Sequence, residues 1–73
     1  MSAPLTLTIE NRIATITYNR PEKLNAMTPE MAQLMWDAVH RINADVTARV
    51  VILTGTGRVF SAGADLEAAR AGL

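Results

Sequence analysis

The chain has 73 residues, with seven basic and seven acidic side chains, one His and no Cys. That length holds one small domain at most, and the composition excludes disulfide staples, a thiolate zinc site and a His-rich metal cluster. Zero net charge with no run of like charges gives no footprint for nucleic acid or an anionic membrane, and Tyr18, Trp36 and Phe60 are too few for a base-stacking platform.

Met1-Ser2-Ala3-Pro4 lacks the basic and apolar regions of a secretory signal and the Arg content of a transit peptide. No apolar run approaches the ~18 residues of a membrane span. A cytoplasmic chain is expected.

Leu5-Thr6-Leu7-Thr8-Ile9 alternates apolar and polar residues at period two and reads as a half-buried strand. Glu10-Asn11-Arg12 fits a tight turn, since Asn tolerates left-handed geometry. Ile13-Ala14-Thr15-Ile16-Thr17-Tyr18 is the return strand of an antiparallel hairpin. Asn19 to Met27 has no clean period. Pro21 holds Arg20 extended and ends the strand, so a loop anchored by Leu24 or Met27 is expected.

Thr28-Pro29-Glu30 starts a helix: a capping hydroxyl, a proline at the first position and an acid facing the dipole. Met31, Leu34, Met35, Ala38, Val39 and Ile42 then form one apolar stripe. Trp36 lies at its border and His40 on the opposite, solvent face. Asn43-Ala44-Asp45 ends the helix. Val50-Val51-Ile52-Leu53-Thr54 is apolar without alternation, which predicts a strand buried on both faces of a parallel sheet. The preceding helix supplies the crossover such pairing needs. Gly55 to Arg58 is a turn, Val59 to Gly63 a loop of mostly small residues, and Asp65 to Arg70 the start of a second helix.

Several chemistries are excluded by pattern. Gly55-x-Gly57 has Phe60 where a dinucleotide fingerprint needs its third glycine. No Gly-Lys-Ser/Thr phosphate loop is present. Ser61 lacks the flanking glycines of a nucleophile elbow, and His40 sits on the wrong helix face for a triad.

The segment Phe60-Ser61-Ala62-Gly63-Ala64-Asp65-Leu66 remains. It joins a strand to a helix, where the first helical N–H groups lack backbone partners. Such donors suit an oxygen that gathers negative charge. Small side chains at 61–64 let a substrate approach the main chain, and Gly63 offers a dihedral other residues resist. From the pattern alone, a plain strand-to-helix turn with Asp65 as an entry residue is the simpler account.

Three segments in order and register carry a resemblance: Asn19-Arg20-Pro21-Glu22-Lys23-Leu24-Asn25-Ala26-Met27, Val50-Val51-Ile52-Leu53-Thr54-Gly55, and Phe60 to Leu66. From about Leu5 to about Leu66 the chain resembles the N-terminal portion of the enoyl-CoA hydratase/isomerase (crotonase) family. The resemblance implies an α/β crotonase-like ββα fold: antiparallel hairpin, helix, buried parallel strand and the start of a second helix. Residues 1–73 then read as an incomplete crotonase-like domain.

It also implies lyase or isomerase chemistry of fatty acid metabolism on acyl-CoA thioesters, whose carbonyl is held between two backbone N–H groups as an enolate forms. Ala64 is implied as the first of those donors. Ala62, Gly63, Asp65 and Leu66 are implied around the thioester and the CoA adenine end. Lys23, Leu24 and Ala26 match the loop that contacts CoA, although a solvated surface lysine is an equal reading of Lys23. Coenzyme A enters as part of the substrate, with no separate cofactor and no metal. A full-length form is implied to be a trimer or hexamer.

The family is several times longer, and its second oxyanion donor and acid/base residues lie downstream. Glu30 and Glu67 do not match those positions. The 73 residues therefore carry half an oxyanion hole, and their activity alone is doubtful. The alternatives are a non-catalytic remnant that associates with full-length subunits, or a small α/β interaction module. Acyl-chain length and the choice among hydration, isomerisation, hydrolysis, decarboxylation and dehalogenation are not encoded in these residues.

Overall fold

The computed structural model describes residues 3–71; Met1 and Ser2, the first residues of the segment read above as lacking signal character, lie outside them. β1 (Leu5–Glu10) and β2 (Ile13–Tyr18) form the expected antiparallel hairpin, in register from Leu5 opposite Tyr18 to Glu10 opposite Ile13. Asn11 and Arg12 both take positive φ, 51° and 69°. A two-residue turn with that geometry follows the natural twist of the strands.

Period two places Leu5, Leu7 and Ile9 on one face of the hairpin with Ala14, Ile16 and Tyr18. The other face carries Thr6, Thr8, Thr15 and Thr17. α1 (Pro29–Ala44) lies across the first of these faces and packs against β1 and β2. Thr28 caps it by accepting a hydrogen bond from Met31 N at 3.2 Å, with Pro29 in the first turn. Met31 and Ala38 are buried in the core with Leu5, Ile16 and Tyr18, and Leu34, Met35 and Ile42 pack at its margin. Val39, expected in the stripe, is exposed. Ala38 takes the sheet-facing position beside it, and a sheet this narrow covers only part of the stripe. Trp36 is exposed and its ring lies 4.3 Å from that of His40, on the solvent side.

After α1 the chain returns as β3 (Val50–Gly55), parallel to β2 with Ile13 opposite Val50 and Tyr18 opposite Gly55. The sheet order is β1-β2-β3. The crossover reading is correct; the burial reading is not. Val50 and Val51 are 53% exposed, and Ile52 and Leu53 are 44% and 46% exposed. β3 is the edge strand, α1 covers the hairpin, and neither face of β3 is covered among the described residues. The accessible surface is 5266 Å², against about 4,400 Å² for a typical folded monomer of 7.9 kDa. α2 (Leu66–Ala71) begins one residue after Asp65, whose carboxylate accepts from Ala68 N at 2.9 Å. Among the described residues, no helix is long and apolar enough to cross a membrane.

With so small a core and an apolar strand in water, the isolated chain is expected to be marginal. Urea and thermal melts should return less than about 5 kcal/mol; a cooperative monomer well above that value contradicts the expectation.

Candidate functional site

Between β2 and α1 the chain forms a 3₁₀ turn, Pro21–Lys23, and then two consecutive left-handed residues, Leu24 and Asn25 at φ 53° and 56°. The sequence expectation was an apolar anchor at Leu24 or Met27. Met27 does pack against the core, but Leu24 is exposed. The main anchor is polar: Asn25 is fully buried.

Asn25 ties three segments together. Its Oδ1 accepts from Arg20 N at 2.8 Å, and its Nδ2 donates to Thr56 O at 2.8 Å and Val59 O at 3.0 Å. Its carbonyl accepts from Ser61 Oγ at 2.8 Å, and Ser61 Oγ accepts in turn from Gly63 N at 3.1 Å. A buried amide is tolerated when its donors and acceptor are partnered. Gly55 makes this packing possible, since a Cβ there would lie 2.4 Å from Phe60 O and 2.8 Å from Asn25 Nδ2. Phe60 stacks on Tyr18 with ring centroids 5.1 Å apart.

The small-residue loop is joined to the 20–27 loop by an isolated parallel bridge between Met27 and Ala64. Met27 N donates to Gly63 O at 2.7 Å, and Asp65 N donates to Met27 O at 2.8 Å. Gly63 makes the required turn at φ 100°. The bridge uses the neighbours of Ala64 and leaves its own N–H aside. Because the Gly63–Ala64 peptide is trans and planar, that N–H points away from Met27. It has no hydrogen-bond partner among the described residues.

Arg20 closes the arrangement. Its Nη1 donates to Ala26 O at 3.0 Å and to Asp65 Oδ2 at 2.8 Å. The Asp65 side chain is 11% exposed and that of Arg20 21%. Backbone hydrogen bonding from Ala68, then the Arg20 guanidinium, hold the Asp65 carboxyl below the ordinary aspartate value. Asp45 is lowered as well, chiefly by hydrogen bonds from the Thr47 hydroxyl and N–H.

Lys23, Ala26, Ala62, Ala64, Asp65, Leu66 and Glu67 line one open groove of about 470 Å³. Six of the eight residues implied by the resemblance therefore meet at one place. Leu24 and Gly63 do not line the groove; Leu24 ends the 3₁₀ turn and Gly63 shapes the loop behind Ala64. Arg20, Asn25, Met27 and Ser61, which hold the groove in shape, were not singled out as site residues. A signal for them existed only as Asn and Arg inside a loop beside proline. No group of three or more potential metal-ligating side chains occurs among the described residues.

The profile of the enoyl-CoA hydratase/isomerase family matches residues 8–72. The chain belongs to the enoyl-CoA hydratase/isomerase family. A Mycobacterium tuberculosis protein named as a probable enoyl-CoA hydratase is 40% identical over 70 residues, covering 96% of this chain and 27% of that protein. The 1,2-epoxyphenylacetyl-CoA isomerase of Escherichia coli is 41% identical over 59 residues, 81% of this chain and 22% of the isomerase. The crystal structure of enoyl-CoA hydratase EchA1 from Mycobacterium marinum superposes with a TM-score of 0.90 at 38% identity, covering 94% of this chain and 27% of that one. The hairpin, α1 and the parallel β3 are thus a segment of the crotonase fold. The chain spans about a quarter of the length of these family members.

Two outcomes are expected from this geometry. Asn25→Ala should cost about 2–4 kcal/mol in urea melts, since three hydrogen bonds are lost and buried partners are stranded. Asn25→Gly, which suits the left-handed backbone, should isolate the hydrogen-bond share of that loss. Acid should also loosen the site. A carboxylate with a lowered folded pKa adds stability above its unfolded value and loses it as pH falls through the folded value. Wild-type stability should therefore fall below about pH 4, and Asp65→Asn should flatten part of that fall. A melt series from neutral pH to about pH 3 checks both.

Proposed function

We propose that this chain binds the thioester end of an acyl-CoA, and that in an active protein containing it the Ala64 N–H donates to the thioester oxygen during enoyl-CoA hydration or isomerisation. The observation that carries the reading is the unpartnered Ala64 N–H beside a groove walled by Ala26, Ala62 and Leu66. Small apolar walls admit a thioester close to the main chain, and a fixed donor needs no rearrangement as charge builds on the oxygen. Family membership supports the substrate class, and the named hydratase and isomerase relatives support the reaction type.

Lys23 at the groove's rim supplies a cation for a phosphate of coenzyme A. Asp65 is committed to Arg20 and Ala68 and is not a proton carrier. Proton transfer is assigned to no residue of this chain, because a single oriented donor stabilises an enolate without supplying the acid or base that forms it. Coenzyme A enters with the substrate, and assembly into a trimer or hexamer belongs to the full-length form.

Ala64→Pro tests the donor directly. Proline removes the N–H, yet the Met27 bridge uses Gly63 O and Asp65 N and is left intact. In an active full-length protein containing this segment, kcat should fall about 10²–10³-fold while KM changes little. Ala64→Ser keeps the N–H and controls for bulk. A folded Ala64→Pro protein with near-normal kcat overturns the assignment.

A further inference from the structure

We propose that Arg20 is a positioning residue for the Ala64 N–H and acts on it through two intervening peptide groups. The inference rests on the reading of Ala64 as the donor to the thioester oxygen. Arg20 Nη1 donates to Ala26 O at 3.0 Å. The other end of that peptide is Met27 N–H, which donates to Gly63 O at 2.7 Å. The other end of the Gly63 peptide is the Ala64 N–H. Neither of these two peptide bonds is cis, so in each unit the C=O and N–H point opposite ways. Three donors therefore run head to tail, from the part-buried Arg20 guanidinium to a free N–H at the groove.

Two physical effects follow. In such a line each hydrogen bond polarises the next, by about 10–30% per bond, and the head of this line carries a full positive charge. Arg20 also pairs with Asp65 at 2.8 Å. Asp65 adjoins Ala64 and lines the same groove, so an unpaired carboxylate there would repel an oxygen gaining negative charge. Arg20 cancels that charge and, through the Ala26 carbonyl, fixes the Met27 peptide that aims Ala64. Lysine is not an equivalent, because both contacts come from Nη1, and a lysine's flexible stem and freely rotating ammonium do not fix a donor pair at that point as a planar guanidinium does.

The test is amide NMR of the 73-residue chain, first without ligand and then titrated with crotonyl-CoA. In Arg20→Gln the Met27 and Ala64 amide protons should move upfield together. Ala62, which donates to Leu24 O, and Thr56, which donates to Tyr18 O, should stay in place. The displacement of the Ala64 amide by crotonyl-CoA should shrink by about 10–30%, and Arg20→Lys should give intermediate shifts at Met27 and Ala64. Unmoved Met27 and Ala64 amides in Arg20→Gln overturn the proposal, as do equal shifts at Ala62 and Thr56, which report general loosening. If Arg20→Gln does not fold, Arg20→Lys decides, and wild-type shifts at both relay amides overturn the proposal. Crotonyl-CoA that leaves the wild-type Ala64 amide unmoved removes the functional reading instead, while the ligand-free shifts still decide the relay.

Discussion

The pairing of Met27 with the residues either side of Ala64 is the contact on which the rest of the site depends. Two short backbone hydrogen bonds, 2.7 and 2.8 Å, convert two surface loops into one wall. They fix the peptide plane that carries the Ala64 N–H, and they do so without consuming that N–H. A donor fixed in this way differs from one at the tip of a loop. Its direction is set by covalent geometry and by partners on a different segment, 36 residues away in sequence for the Met27–Gly63 bond.

Beside the packing of Met27 on the core and of Phe60 on Tyr18, the segments around that bridge are cross-linked by polar groups, of which Asn25 is fully buried. Asn25 supplies three of the links and Ser61 two more. Hydrogen bonds have narrow geometry, whereas apolar contacts tolerate sliding. A loop of small residues offers little apolar surface to pack, so a directional network is the available means of rigidity. It also makes the site depend on each member, since a half-satisfied buried network costs more than none. The Arg20–Asp65 pair belongs to the same design. Its carboxylate caps α2 through Ala68 and its guanidinium reaches back to Ala26, so helix entry and groove wall are one unit.

The sheet presents a different balance. α1 is a single helix and covers the hairpin, where Leu5, Ile16 and Tyr18 meet Met31 and Ala38. β3 lies beyond its reach and leaves Val50, Val51, Ile52 and Leu53 about half exposed. Natural edge strands are usually guarded by charge, proline or a bulge, and Val50–Gly55 carries no charged residue or proline. Its composition suits a strand covered on both faces. The groove and the exposed strand therefore obey different rules: the first is held by its own hydrogen bonds with the Ala64 N–H left over, the second is not complete in its burial.

Local signals in the sequence determined the hairpin, the capped helix, the crossover and the position of the second helix. Period-two and period-3.6 patterns act within a few residues, and Thr28-Pro29 and Asn11 act on their own backbones. The three motifs also carried the family, because their order and spacing are themselves sequence. Only the tertiary structure decided which residues hold the site. Asn25 reads as one polar residue in an irregular loop, and its partners Thr56 and Val59 lie more than 30 positions away. The same holds for Arg20 and Asp65, which are 45 residues apart. The exposure of β3 was illegible for a related reason. An apolar run states what a strand prefers to touch, while burial depends on which layers lie over it, and here the one long helix lies over its neighbours.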